Sequence, residues 1–363
     1  MSQTTIGLQR VRSYENFQKK ISKKSRSYIQ KINLALKQLD EYSIITFDKS
    51  RDKIISELLE LDMDSREDQT LNWIQGYVDE HDSITFASLQ GYLGHIRKYL
   101  KYWRIHIDFK DEIEMPPKML EERYAIPLEE IQNIIRKAKW KYQGYFLSEA
   151  SCGARPSEVM SLRKKDYFWT GKRWGATIQA RFTKKKISRT VFFSSECTPY
   201  VTKILKKLVD DDRVWSPNPK CPDDKVTQKA NTAGTRFREA CLSIGYDEKY
   251  ESTGFYKRNM YCFRAFFFTN ALDSLSESKD LAHAMIGHGA YLQEYQRRTT
   301  ERKEELYEEI EPSLLVFDQT KNLAKIKKLE EANEEIVSLK EIVQKHERQL
   351  MKDTFGYTEA KNE

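Results

Sequence analysis

Only one stretch of this 363-residue chain carries a β pattern. WGATIQARFTKKKISRTVFFSS, residues 174–195, alternates, is rich in β-branched residues and turns on a basic run, which predicts a hairpin. The segments around it place apolar residues mostly at helical spacing. The expected fold class is therefore mainly α, an α+β chain with one small β element inside a helical domain.

Pro116-Pro117 and the charge run beside them mark a linker. Before it, KSRDKIISELLELD, REDQTLNWIQGYVDEH and TFASLQGYLGHIRKYLKYW predict short amphipathic helices, with Ser83 or Thr85 capping the last. After it, Pro127 opens a fresh helix with acids in its first turn, where the helix dipole favours them. The expected organisation is an arm over 1–40, a helical domain over 41–112, a linker over 113–123, a larger mostly helical domain over 124–317 and a tail over 318–363. In the tail, Leu329, Ile336, Val343 and Leu350 recur every seven residues, and Ala332 and Leu339 lie three after the first two. That spacing predicts a short coiled coil or an amphipathic docking helix.

Charge is uneven. The formal net charge is +7, yet residues 1–37 alone hold nine Lys/Arg against one acid, while residues 301–363 carry a net −5. A basic arm that orders on its partner, joined to a mildly basic body, fits a nucleic acid; a solvated tail has the same count. No apolar run reaches the length of a membrane span, and the N-terminus has no signal-peptide apolar region, so a cytoplasmic, nucleoid-associated protein is expected. The five cysteines are scattered without a CxxC and read as reduced thiols; the histidines show no metal-ligand spacing.

GARPSEVMSL, residues 153–162, sets Arg155 at the mouth of a segment that otherwise reads as core. A buried arginine is costly unless an anion meets it. Glu158 can supply that anion as an i, i+3 partner, or the anion comes from outside. Downstream stand Lys184 in the basic turn, Arg264 in YCFRAFFFTNAL and His288 in MIGHGAYLQEYQRR. Singly, each has a bland reading: an exposed turn, a buried aromatic helix, a helix terminus.

Together and in this order these boxes resemble the tyrosine recombinase (phage integrase) family, in details closest to its archaeal members. The resemblance spans residue 124 to about 312, and residues 45–110 match the family's helical core-binding (SAM-like) domain. It implies site-specific cleavage and rejoining of double-stranded DNA at attachment-type sites by a dimer or tetramer. A tyrosine attacks the phosphodiester, leaving a 3′-phosphotyrosine and a free 5′-hydroxyl. Arg155 and Arg264 would clamp the phosphate in bidentate fashion, with Glu158 orienting Arg155. Lys184 would protonate the leaving oxygen, and His288 would hydrogen-bond the phosphate or assist the tyrosine. The resemblance implies no metal, nucleotide or other cofactor, and no membrane partner. Arg97, Lys98, Lys101 and Arg104 in HIRKYLKYWR, with Lys185 and Lys186, are the candidate DNA contacts.

Two features depart from the family pattern. Tyr261 stands where the second box usually has histidine, and a phenol donates a hydrogen bond but carries no positive charge near neutral pH. The nucleophile is expected about nine residues after His288, where this chain has Arg297. Tyr295 in EYQRR is the expected nucleophile. Tyr291 lies too close to His288, and Tyr307, the second choice, sits in an acidic segment. Three other readings stay open at this point. A type IB topoisomerase would relax DNA without sequence preference, an inactive architectural protein would bind it without a covalent adduct, and a coiled-coil scaffold would need no DNA.

Overall fold

The computed structural model describes residues 12–107, 112–119, 121–274, 279–287, 298–317 and 336–350. The chain divides into two compact units, Met1–Glu122 with Tyr250–Phe255, and Arg123–Lys249 with Tyr256–Glu363. No described helix is long and apolar enough to cross a membrane.

The first unit is built from α1 (Tyr14–Ile21), α2 (Arg26–Phe47), α3 (Arg51–Glu60), α4 (Met63–Glu80) and α5 (Phe86–Tyr102). Ser13, Ser25, Ser50 and Asp62 cap the first four by accepting a backbone N–H from the first turn. Leu36, Leu39, Trp73, Tyr77, Leu89 and Ile96 meet in one core. The expectation of an arm that orders only on a partner is corrected here. Phe17 and Ile21 of α1 are buried, and α2 sinks Ile32, Leu36 and Leu39 against its neighbours. Sparse apolar residues three and four apart suffice when each is fully covered, at about 1.5–3 kcal/mol apiece.

The second unit holds α6 (Leu128–Lys137), α7 (Trp140–Cys152), α8 (Pro156–Ser161), β1 (Tyr167–Trp169), β2 (Trp174–Ile178), β3 (Arg189–Phe192), α9 (Thr198–Leu205), α10 (Val226–Leu242), α11 (Tyr261–Ser274), α12 (Lys279–Ile286) and α13 (Thr300–Leu314). The strands form one antiparallel sheet in the order β1-β2-β3, with Ala176 opposite Tyr167 on one side and Val191 on the other. The hairpin read from the sequence is β2–β3; β1 adds a third strand.

Helix α7 is the buried spine of this unit. Phe146 stacks on Phe263 of α11 at 5.3 Å and meets Phe237 of α10 edge-on at 5.8 Å. Such pairs contribute about 0.5–1.5 kcal/mol beyond burial. Phe263, Phe267 and Ala271, four residues apart, turn one face of α11 inward and leave Arg264 on its flank. Residues 336–350 of the tail are helical, with Ile336, Leu339, Val343 and Leu350 exposed; Leu329 and Ala332 of the heptad pattern lie outside the described residues.

Candidate active site

Helix α7 ends at Gly153, whose φ of +60° turns the chain towards α8. A Cβ there would lie 2.2 Å from the Phe267 ring and 2.9 Å from Ile286, so both backbone and packing require glycine. The turn delivers Arg155 to the N-cap of α8, with Pro156 in the first helical turn. Glu158 reaches back to accept the Arg155 backbone N–H at 2.8 Å and Arg155 Nη1 at 3.0 Å.

Glu158 is fully buried and has a second partner, Arg189 of β3. Arg189 Nη2 donates to Glu158 Oε2 at 2.5 Å, and its Nε donates to the Met285 carbonyl at 2.7 Å. Burial pushes the Glu158 carboxyl up, but the Arg189 hydrogen bond and charge, with the Arg155 backbone bond and charge, outweigh it and hold the group below the usual carboxylate range.

Arg264 completes the cluster from α11. Its Nη1 donates to the Gly153 carbonyl at 2.7 Å and its Nη2 to the Ile286 carbonyl at 2.6 Å. Burial and then the charge of Arg155 depress its pKa to about 10, with Arg189 acting in the same direction. Arg155, Arg189 and Arg264 are thus gathered around the Glu158 carboxylate, and their mutual repulsion disfavours the charge of Arg264. An anion with two accepting oxygens would relieve it.

Sequence reasoning missed Arg189. The signal was there: residue 189 shares strand parity with Val191, so a cation sits on the inward face of β3. It also lies against Gly287 (φ +75°), where a Cβ would meet its guanidinium at 3.2 Å.

The remaining candidates are placed differently. Tyr261 is the first residue of α11, 59% exposed, one turn ahead of Arg264. Lys184, Lys185 and Lys186 form an exposed turn between β2 and β3. His288, Tyr291 and Tyr295 lie outside the described residues. Tyr307, the second choice of nucleophile, is corrected by its position in α13. It is fully buried, its hydroxyl donates to the Ser151 carbonyl at 2.9 Å, and burial holds its pKa well up. A sealed, protonated phenol cannot reach a phosphate. In the first unit, Arg97, Lys98 and Lys101 line a groove of about 720 Å³ along α5 that also exposes Gly91 and Gly94. Lys98 Nζ donates to the Tyr28 hydroxyl at 3.0 Å. Arg104, in a left-handed turn at φ +68°, does not line the groove itself, although Lys101 before it and Ile105, His106 and Ile107 after it do.

No family model and no curated protein matches this sequence. Solved structures do match in three dimensions. The lambda integrase dimer bound to a COC′ core site superposes with a TM-score of 0.51 at 11% identity, covering 79% of this chain and 97% of that one. This chain has the integrase fold. Also similar are the XerH site-specific recombinase bound to difH in its pre-cleavage complex (TM-score 0.48, 16% identity, 80% and 81% covered) and the integrase from mycobacterium phage Brujita (0.41, 15%, 84% and 92%). On this integrase fold, Arg155, Glu158, Arg189 and Arg264 come from α8, β3 and α11, three elements that meet at the end of α7.

Proposed function

We propose that the chain is a site-specific DNA recombinase that cleaves and rejoins duplex DNA through a 3′-phosphotyrosine. The observation that carries the proposal is the crowding of Arg155, Arg189 and Arg264 on the one carboxylate of Glu158. A phosphodiester brings one negative charge and its pentacoordinate transition state approaches two, a charge that clustered guanidiniums stabilise.

In this reading Arg155 and Arg264 bind the non-bridging oxygens, and Arg189 holds Glu158 so that Arg155 stays aimed. Tyr295 Oη forms the bond to phosphorus as the P–O5′ bond breaks, and Lys184 gives a proton to O5′. His288 hydrogen-bonds the phosphate or takes the proton that Tyr295 gives up as its Oη bonds to phosphorus. Tyr261, exposed at the head of α11, donates a neutral hydrogen bond in place of a charged one. The bond to tyrosine conserves the energy of the diester, so rejoining needs no nucleotide.

The partner is duplex DNA at attachment-type sites, gripped by a dimer or tetramer. The lambda integrase structure is described as a dimer on its core site, which supports this assembly. Arg97, Lys98 and Lys101 along α5, Arg104 beyond them, and Lys185 and Lys186 beside the site supply phosphate contacts, so affinity falls steeply with salt. The tail helix pairs neighbouring copies through its apolar stripe.

Adduct trapping tests the reading. Protein is incubated in EDTA with DNA carrying the ends of its resident element, quenched in SDS and resolved on a gel. Wild type and Tyr307→Phe are expected to give a protein–DNA band that Tyr295→Phe and Arg155→Ala lack. Tight binding with no adduct, even on nicked suicide duplexes, would replace this reading with an architectural one. Relaxation that ignores sequence and protein concentration would replace it with a topoisomerase.

A further inference from the structure

Lys184 lies on the connection between the paired residues Ile178 and Arg189. The turn is closed from within. The buried Thr183 hydroxyl donates to the Ala180 carbonyl at 3.0 Å and accepts the Ile187 N–H at 3.0 Å, and Lys186 Nζ donates to the Arg181 carbonyl at 2.9 Å. Arg181 links this unit to the body through an ion pair, Nε to Asp223 Oδ2 at 3.5 Å.

Asp223 precedes α10, and its other oxygen is already committed. Oδ1 accepts Arg163 Nη2 at 2.8 Å and a further hydrogen bond from Arg213 Nη2. Arg213 is fully buried; it donates Nε to the Cys221 carbonyl at 2.7 Å and Nη1 to the Ser161 carbonyl. Ser161 is the last residue of α8, the helix that Arg155 begins. An unbroken polar path therefore runs from the Arg155 helix through Arg213 and Asp223 to Arg181, three residues before Lys184.

We propose that Asp223 is a positioning residue that holds the Lys184 turn at a fixed distance from the arginine clamp. The inference rests on Lys184 as the general acid. Arg181 is 55% exposed on its side chain, so the Arg181–Asp223 pair adds little stability. Its effect is on where the proton donor sits.

The chemistry offers a direct readout. With an oxygen leaving group, Lys184 must deliver a proton to O5′ as the P–O5′ bond breaks. With sulfur at that bridging position, the thiolate leaves without a proton. Single-turnover cleavage at saturating DNA is measured on both duplexes for wild type, Lys184→Ala, Arg181→Gln, Arg181→Lys and Asp223→Asn. Arg181→Gln is expected to slow the oxygen substrate by about tenfold, part of the roughly 10²–10⁴ that a general acid supplies. It should cleave the sulfur substrate at the wild-type rate, and Arg181→Lys should recover most of the loss. Asp223→Asn should follow Arg181→Gln with a lower Tm, because Arg213 loses its carboxylate. Should it not fold, the exposed Arg181 variants decide. Equal slowing of Arg181→Gln on both substrates overturns the proposal, as does weaker DNA binding with an unchanged saturated rate. If sulfur fails to rescue Lys184→Ala itself, the assignment of Lys184 is what fails.

Discussion

Two arginines six residues apart show how one residue type can serve two purposes. Arg258 is 5% exposed and surrounded by its complement. It grips both oxygens of Glu130 at 2.6 and 2.8 Å, pairs with Glu248, and lies between the rings of Tyr124 and Tyr246. Its pKa is pushed up, chiefly by the Glu130 hydrogen bond. Arg264 is half-buried, bonded to two carbonyls and crowded by Arg155, and its pKa is pushed down to about 10. The neighbours of Arg258 favour its charge, whereas burial and Arg155 disfavour that of Arg264. Arg213 is also pushed down by burial and by Arg163, but it is sealed from any ligand. An arginine signals a site when its neighbours disfavour its charge and a ligand can reach it.

That contrast can be broken first by deletion. Arg258→Met strands Glu130 and Glu248 and should cost about 3–5 kcal/mol, read by urea melts. The folded fraction should still cleave DNA at the wild-type rate. Arg264→Ala should do the reverse, lowering cleavage by roughly 10²–10³ with Tm unchanged or raised, because it removes a group that binds developing charge. If Arg264→Ala unfolds the protein as Arg258→Met does, the two arginines do not differ in kind.

Glu158→Gln sharpens the comparison from the acid side. The carboxyl is lower in the folded state than in the unfolded chain, so its contribution is complete above about pH 5 and is lost as pH falls through its folded value. The variant should be less stable by about 1–3 kcal/mol at pH 7, and the gap should narrow as pH falls through the folded value of the carboxyl. A gap that stays constant at every pH where the protein folds would assign the loss to packing instead of charge.

Much of this was legible in the residues. The hairpin, the three helices before the linker and the helix after Pro127 follow from period, although Thr85, the N-cap of α5, makes no side-chain cap bond. Strand β1 did not, since three residues, Tyr167–Trp169, are too few to show alternation. The arm's apolar residues are sparse among its charges, yet Phe17 and Ile21 in α1, and Ile32 and Leu36 in α2, lie four apart on a buried face. Of the site, Arg155 and Glu158 could be paired from their spacing. Arg189 was lost to a strand that otherwise reads as apolar. Tyr307 was judged by its acidic neighbours, whereas Leu306, Ile310 and Leu314 place it on the covered side of α13.

A smaller effect tests whether the cluster binds an anion. Sulfate at about ten times its Kd should stabilise the wild type by about 1.4 kcal/mol over chloride of equal ionic strength. Arg264→Ala should lose that increment and Arg258→Met should keep it. Equal increments in both would mean that sulfate acts on the whole surface.

The same reasoning extends to glycine, with the smallest effect. Gly153 has a positive φ and a ring against it, so the fold needs it. Gly94, inside α5, has no atom within 4 Å of where a Cβ would stand, and neither does Gly91. Alanine at 94 should therefore stabilise the helix by about 0.5–1 kcal/mol. The groove beside it carries Arg97, Lys98 and Lys101. If that face lies against DNA, Gly94→Ala should raise Tm while weakening DNA binding, and the salt dependence should stay as it was because no charge has changed. Stability and affinity moving in opposite directions would mark Gly94 as shaped by a partner. A rise in Tm with affinity unchanged would take the α5 groove out of the DNA interface and leave the arginine cluster to stand alone.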